Sequence, residues 1–174
     1  SERYGRAHSE NWDYGTTKYL SLMSVIIKIY GHNLNGITIV EIGPGDEGKM
    51  VLYFFKYLGA RVVGVDNNQN MKAWGVVKYG EWSKLSKSIE PGSADVIFTH
   101  NMTPTAYSST EFEFDKEAFE KKCAEELHKC LKLNGVLIGH TVDLDRGLQD
   151  PSYYGFGNYT TVDLSSSKYS SGSH

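Results

Sequence analysis

The stretch Ile37-Thr38-Ile39-Val40-Glu41-Ile42-Gly43-Pro44-Gly45-Asp46-Glu47-Gly48 decides how this chain is read. Its first half is a short, mostly β-branched run, which predicts a buried strand, and the run breaks off in glycines. Beyond them Met50, Val51, Phe54, Phe55 and Leu58 fall on one helical face, and Gly59 closes the segment. A strand that passes through a glycine turn into a helix opens a β-α-β unit, and Arg61-Val62-Val63-Gly64-Val65-Asp66 reads as its second strand.

The same alternation continues on both sides. Upstream, Tyr19, Leu20, Met23, Ile26, Ile27 and Tyr30 predict a helix over 16–30 that stops at Gly31. Downstream, a short helix is expected around Asn70–Trp74, a third strand at Gly75–Tyr79 and a fourth at Ala94–Thr99. Phe119, Cys123, Leu127, Cys130 and Leu131 share one side of a long helix, with Asp115 as its N-cap and Asn134-Gly135 as its end. Val136–Gly139 is the fifth strand, and Tyr159–Leu164 could add another. The strands are continuous apolar runs, which calls for a mostly parallel sheet with helices on both faces, a three-layer α/β sandwich. The organisation expected is an arm over 1–15, one domain over 16–164 and a flexible Ser-rich tail over 165–174.

Length and composition narrow the function classes. A chain of 174 residues is one domain by the usual prior, and 40% hydrophobic with 22% charged residues is ordinary for a globular protein. A net charge of −3 gives no strong nucleic-acid signal. No apolar run reaches the ~20 residues that span a bilayer, and no leader is visible, so no membrane role and a cytoplasmic setting are expected. The first residue is Ser rather than Met, which suggests that the natural start lies further upstream. Cys123 and Cys130 stand two helical turns apart, about 10 Å, too far for a disulfide, and read as core residues. No metal-ligand spacing surrounds them.

Gly43 to Gly48 matches G-x-G-x-x-G between a strand and a helix, with Asp66 at the end of the next strand. That context makes it a nucleoside- or dinucleotide-binding turn. Three ligands compete for it. A P-loop would need Ser or Thr where Met50 stands, and Asp46 and Glu47 would repel a triphosphate. A nicotinamide dinucleotide also brings a pyrophosphate to the helix end, where the same two carboxylates oppose it. S-adenosyl-L-methionine (SAM) carries no phosphate and has an ammonium. Glu41 favours it, because a carboxylate in a buried strand is costly unless a ligand-anchoring network pairs it.

Glu41–Gly48 resembles motif I of the class I SAM-dependent methyltransferases, E/D-x-G-x-G-x-G, although Glu47 holds the place of the third glycine. Val65-Asp66-Asn67-Asn68-Gln69-Asn70-Met71 is similar to the family's second motif, in which the carboxylate binds ribose and a downstream Met or Leu packs on adenine. Gly80-Glu81-Trp82 stands where the family often places Gly-Asp-Ala beside the adenine ring. Pro91–Ile97 and Leu131–Leu137 resemble the approaches to the fourth and fifth strands. The resemblance implies a Rossmann-like fold and a methyltransferase that takes SAM as cofactor. It implies a cofactor site of Glu41, Ile42, Gly43, Pro44, Gly45, Gly48, Asp66, Asn67, Met71, Glu81, Trp82 and His100. The family's sheet closes with an antiparallel hairpin, and only residues 141–174 remain to build it, so an abbreviated sheet or a missing part is expected.

Ligands of such sheets sit over the carboxyl ends of the strands. His100 and Asn101, just past the fourth strand, are therefore the catalytic candidates, with His100 as a base if the methyl acceptor must lose a proton. His140 is a second candidate base. Asp143 and Asp145 read as a solvated acidic turn rather than a metal site. A small-molecule acceptor or an exposed side chain is expected. Trp12, Tyr14, Tyr107, Tyr153, Tyr154 and Phe156 could form a lid or an interface with a partner chain. A SAM- or nucleoside-binding module without catalysis and a NAD-dependent oxidoreductase remain as the rival functions.

Overall fold

Five parallel strands in the order β3-β2-β1-β4-β5 form the centre of the protein. They are β1 (Thr38–Ile42), β2 (Arg61–Asp66), β3 (Val77–Tyr79), β4 (Ala94–His100) and β5 (Leu131–His140). A computed structural model describes residues 12–73, 75–100, 115–140 and 155–156. Parallel neighbours need crossovers, and three helices provide the long ones: α1 (Trp12–Tyr30), α2 (Gly45–Tyr57) and α3 (Lys116–Cys130). Two 3-10 helices, Gln69–Ala73 and Trp82–Lys87, flank β3.

Each sheet face has its own core. Ile39, Val96 and Phe98 meet Leu22 and Ile26 of α1 and Leu52 and Phe55 of α2, all almost wholly buried. Val40, Ile42, Val65 and Ile97 face the other way, onto Trp82, Leu85 and the Phe119, Cys123 and Leu127 stripe of α3. Ser86 N–H donates to Glu126 Oε2 at 3.0 Å, which ties the second 3-10 helix to α3. The result is the expected three-layer Rossmann-like α/β sandwich with a parallel sheet.

Several boundaries differ from the sequence expectation, each for a local reason. α1 begins at Trp12, ahead of Thr16, so part of the expected arm is helical. α3 stops at Cys130 rather than at Asn134, because Leu131 is already extended (φ −71°, ψ 141°) and pairs with Ala94. The next register pair is Val96 with Val136, so Lys132–Gly135 bulge out of β5, with Asn134 at φ 67° and Leu133 93% exposed. The 3-10 helix at Trp82–Lys87 was not foreseen, since its six residues carry no helical periodicity. The possible strand at Tyr159–Leu164, the tail over 165–174, and Tyr107, Tyr153 and Tyr154 lie outside the described residues. Phe156 stacks on His128 of α3, with ring centroids 4.3 Å apart.

At the amino-terminal end of the sheet one carboxylate links three strands. Asp95 Oδ2, on β4, accepts from the Thr38 N–H of β1 at 2.8 Å and from Lys132 Nζ of β5 at 3.0 Å. Burial and the nearby Asp95 also raise the Tyr30 phenol above its ordinary value. No helix among the described residues is long and apolar enough to cross a membrane.

Both cysteines are buried, and neither forms a disulfide. Burial, then Glu126, pushes the Cys130 thiol from 9.0 up to about 11, against a smaller opposing effect of Lys129. Stability that rests on the neutral thiol is therefore intact below about pH 9 and is lost as pH rises toward 11. At pH 8 the thiolate is about a hundredfold scarcer than in an unperturbed cysteine. Iodoacetamide at that pH should leave Cys130 unlabelled in the folded protein and label it in urea, as read by peptide mass spectrometry; rapid native labelling would contradict this packing.

Candidate functional site

Strand order reverses between β1 and β4, and in open α/β sheets the crevice at that point, over the carboxyl ends of the strands, is where ligands bind. The glycine turn after β1 lies on this crevice. Gly43 and Gly45 adopt φ of 67° and 58°, the left-handed region that only glycine enters cheaply, so the chain reverses within two residues. Gly43 N–H also donates to the Val65 carbonyl at 2.8 Å, which extends the pairing of β1 with β2 into the turn.

The turn leads straight into α2, and Pro44 at its N-cap has no side-chain acceptor to offer. The acceptor comes from β2. Asp66, 5% exposed, takes the Gly45 N–H on Oδ2 at 3.1 Å and the Asn68 N–H on Oδ1 at 2.9 Å. Its carboxylate thus caps the positive end of α2 from across the sheet, where a negative charge is stabilised. The Gly80 N–H donates to the Asp66 carbonyl at 2.9 Å, which brings the loop after β3 to the same point. Turns after β1, β2 and β3 therefore converge on one residue.

Glu41 acts from beneath. It is fully buried on the α2 side of β1. A β-carbon on Gly48 would collide with Glu41 Oε1 and stand 2.7 Å from Pro44 Cβ. Gly48 thus permits the close packing of helix on strand. Ile42, also fully buried, belongs to the opposite core.

The remaining candidates divide sharply. Asn67 and Glu81 are half-buried beside Asp66 and Gly80. Met71, 6% exposed, packs into the core beneath α2, and Trp82 is fully buried between the sheet and α3. Both side chains are thus core members in this structure, and burial of so much apolar surface stabilises them there. His100 ends β4 and is the register partner of His140 at the end of β5, so the two candidate bases stand on adjacent strands. Asn101, Asp143 and Asp145 lie outside the described residues, as do the side chains of Asp46 and Glu47. Among the described residues no group of three or more His, Cys, Asp or Glu is placed to hold a metal ion.

One polar group was missed by sequence reasoning. Thr99, fully buried near the end of β4, pairs in register with Ile42 and Gly139, and among the described residues its Oγ1 has no hydrogen-bond partner. Such a hydroxyl costs about 1–3 kcal/mol when left unsatisfied. Only its position at the switch point distinguishes it from any strand threonine.

Comparison with known proteins places this arrangement. A solved structure from Methanococcus maripaludis, assigned as an S-adenosyl-L-methionine-dependent methyltransferase, superposes with a TM-score of 0.56 at 14% identity, over 97% of this chain and 70% of that one. The two chains share a Rossmann-like fold. A Galdieria sulphuraria structure assigned as a sarcosine dimethylglycine methyltransferase gives a TM-score of 0.45 at 19% identity, over 71% of this chain and 44% of that one. In sequence, a D-lactate dehydrogenase from Streptococcus agalactiae is 33% identical over 89 residues, 51% of this chain. This chain spans only 26% of that protein's length. No family model matches.

The glycine turn makes one mechanical prediction. Gly48→Ala should destabilise the protein by about 1–3 kcal/mol, the usual cost of overpacking a tight contact, read as a lower urea midpoint. Wild-type stability would mean that Glu41 is not clamped beneath α2.

Proposed function

We propose that this chain is a SAM-dependent methyltransferase whose acceptor is a small molecule or an exposed side chain. The observation that carries the reading is the Asp66 carboxylate seated at the amino end of α2. That position attracts anions, and here a fixed carboxylate already holds it. A ligand with a pyrophosphate would meet that charge, whereas SAM brings ribose hydroxyls and an ammonium, both of which a carboxylate accepts. A carboxylate offers about four acceptor positions, which suits it to bidentate contact with ribose hydroxyls.

In this reading the Gly43–Gly45 turn lets the cofactor approach the backbone, with Asp66 and Asn67 toward the ribose and Glu81 near the base. Glu41 is a positioning residue that holds the turn from below. His100, at the end of β4, and Asn101 are the catalytic candidates of this reading, with His100 the base where the acceptor must lose a proton. SAM itself contributes an electrophilic methyl on a sulfonium, so the protein's task is mainly to align the acceptor in line with the departing sulfur. The lack of any membrane-spanning helix among the described residues fits an intracellular enzyme.

The sequence match to a D-lactate dehydrogenase favours a second reading, a nicotinamide-dinucleotide oxidoreductase. Calorimetry with S-adenosylhomocysteine and NADH side by side separates the two. S-adenosylhomocysteine should bind and NADH should give no heat; the reverse result would overturn the methyltransferase reading. Because Asp66 also caps α2, Asp66→Asn is the cleaner variant than Asp66→Ala. It should weaken S-adenosylhomocysteine by about 1.5–3 kcal/mol, the scale of a charged hydrogen bond, with the melting temperature measured in parallel to account for the lost cap. A tritiated-SAM transfer assay on cell extract then tests catalysis, since a non-catalytic module would bind SAM and label nothing.

A further inference from the structure

A cavity of about 600 Å3 runs from the amino ends of β1 and β2, where Thr38 and Arg61 stand, to Lys78 of β3, the register partner of Val65. Val40, Val63 and Ile89 form its apolar part, and Arg61, Lys78 and Lys132 bring cationic side chains to its lining. Glu90 is the one acidic residue lining it. Three cations against one anion stand out in a chain whose net charge is −3.

The three cations are not equally committed. Lys132 is paired with Asp95 at 3.0 Å. Lys78 Nζ donates to the Ser88 carbonyl at 3.3 Å, which leaves its charge uncompensated. Among the described residues the Arg61 guanidinium makes no hydrogen bond or ion pair. An arginine fork beside a lysine point charge is the arrangement that grips a phosphate or carboxylate, and the Thr38 and Ser93 side chains line the same space. The volume lies in the range of small-molecule sites, and the apolar floor would cover the uncharged part of such a ligand.

We propose that this cavity is a second binding site, taking a small organic molecule that carries a phosphate or carboxylate, through Arg61 and Lys78. The site is distinct from the cofactor crevice, because side chains alternate along a strand: Arg61, Val63 and Val65, with Lys78 as the register partner of Val65, belong to one face of the sheet and Asp66 to the other. Calorimetry with inorganic pyrophosphate and with citrate as probes tests it and tells the two oxyanion classes apart. At least one probe should bind, with affinity falling as salt rises. The double variant Arg61→Gln/Lys78→Gln should lose tenfold or more in affinity, while Asp66→Asn should leave it unchanged. Lys121→Gln/Lys122→Gln, the same charge change on the exposed side of α3, should also leave it unchanged. Absence of heat from both probes would overturn the proposal, and so would an equal loss in the Lys121/Lys122 variant or displacement of the anion by S-adenosylhomocysteine.

Discussion

The crevice end of this protein depends on one carboxylate. Asp66 takes the first amide of α2 on one oxygen and the Asn68 amide on the other, and its own carbonyl receives the Gly80 amide. Helix α2 has no cap of its own, because Pro44 stands where a Ser, Thr or Asp would otherwise serve. The cap is therefore borrowed from the neighbouring strand, and the borrowing aligns three loops around a single charge. A site assembled this way is organised before any ligand arrives, which lowers the entropy that binding must overcome.

Beneath that carboxylate lies a second constraint, the contact of Glu41 with the first turn of α2. Gly48 leaves room for it, and any side chain there would force helix and strand apart. Two acids thus hold one turn, Glu41 from the core and Asp66 from the crevice. The same logic appears at the opposite pole, where Asp95 joins β1, β4 and β5 through a backbone amide and a lysine. There the neutralising acid is taken up by Lys132, so Arg61 and Lys78, toward the β3 side of the sheet, are left with charge to spare.

The fold was largely legible because its signals are local. β2 runs over Arg61–Asp66 as the β-branched run indicated, and the glycine turn opens a helix where the pattern required one. The end of α3 was misread because Leu131 continues the helical apolar stripe, while its pairing with Ala94 is set by a distant strand. The burial of Trp82 was not legible for a related reason: a tryptophan after Gly-Glu has the same sequence whether it faces a ligand or the core. Thr99 was overlooked because an unsatisfied hydroxyl is defined only by what surrounds it.

The sequence by itself determined the alternation of strand and helix, the parallel sheet, the glycine turn and the two acids that flank it. These follow from backbone sterics and the period of the apolar residues, which act over a few positions. Tertiary structure alone decided that Asp66 caps α2, that Gly48 makes room for Glu41, that Met71 and Trp82 pack into the cores, and that Arg61 and Lys78 share a cavity. Those are contacts between residues far apart in the chain, and they depend on how the layers stack, which no local pattern encodes.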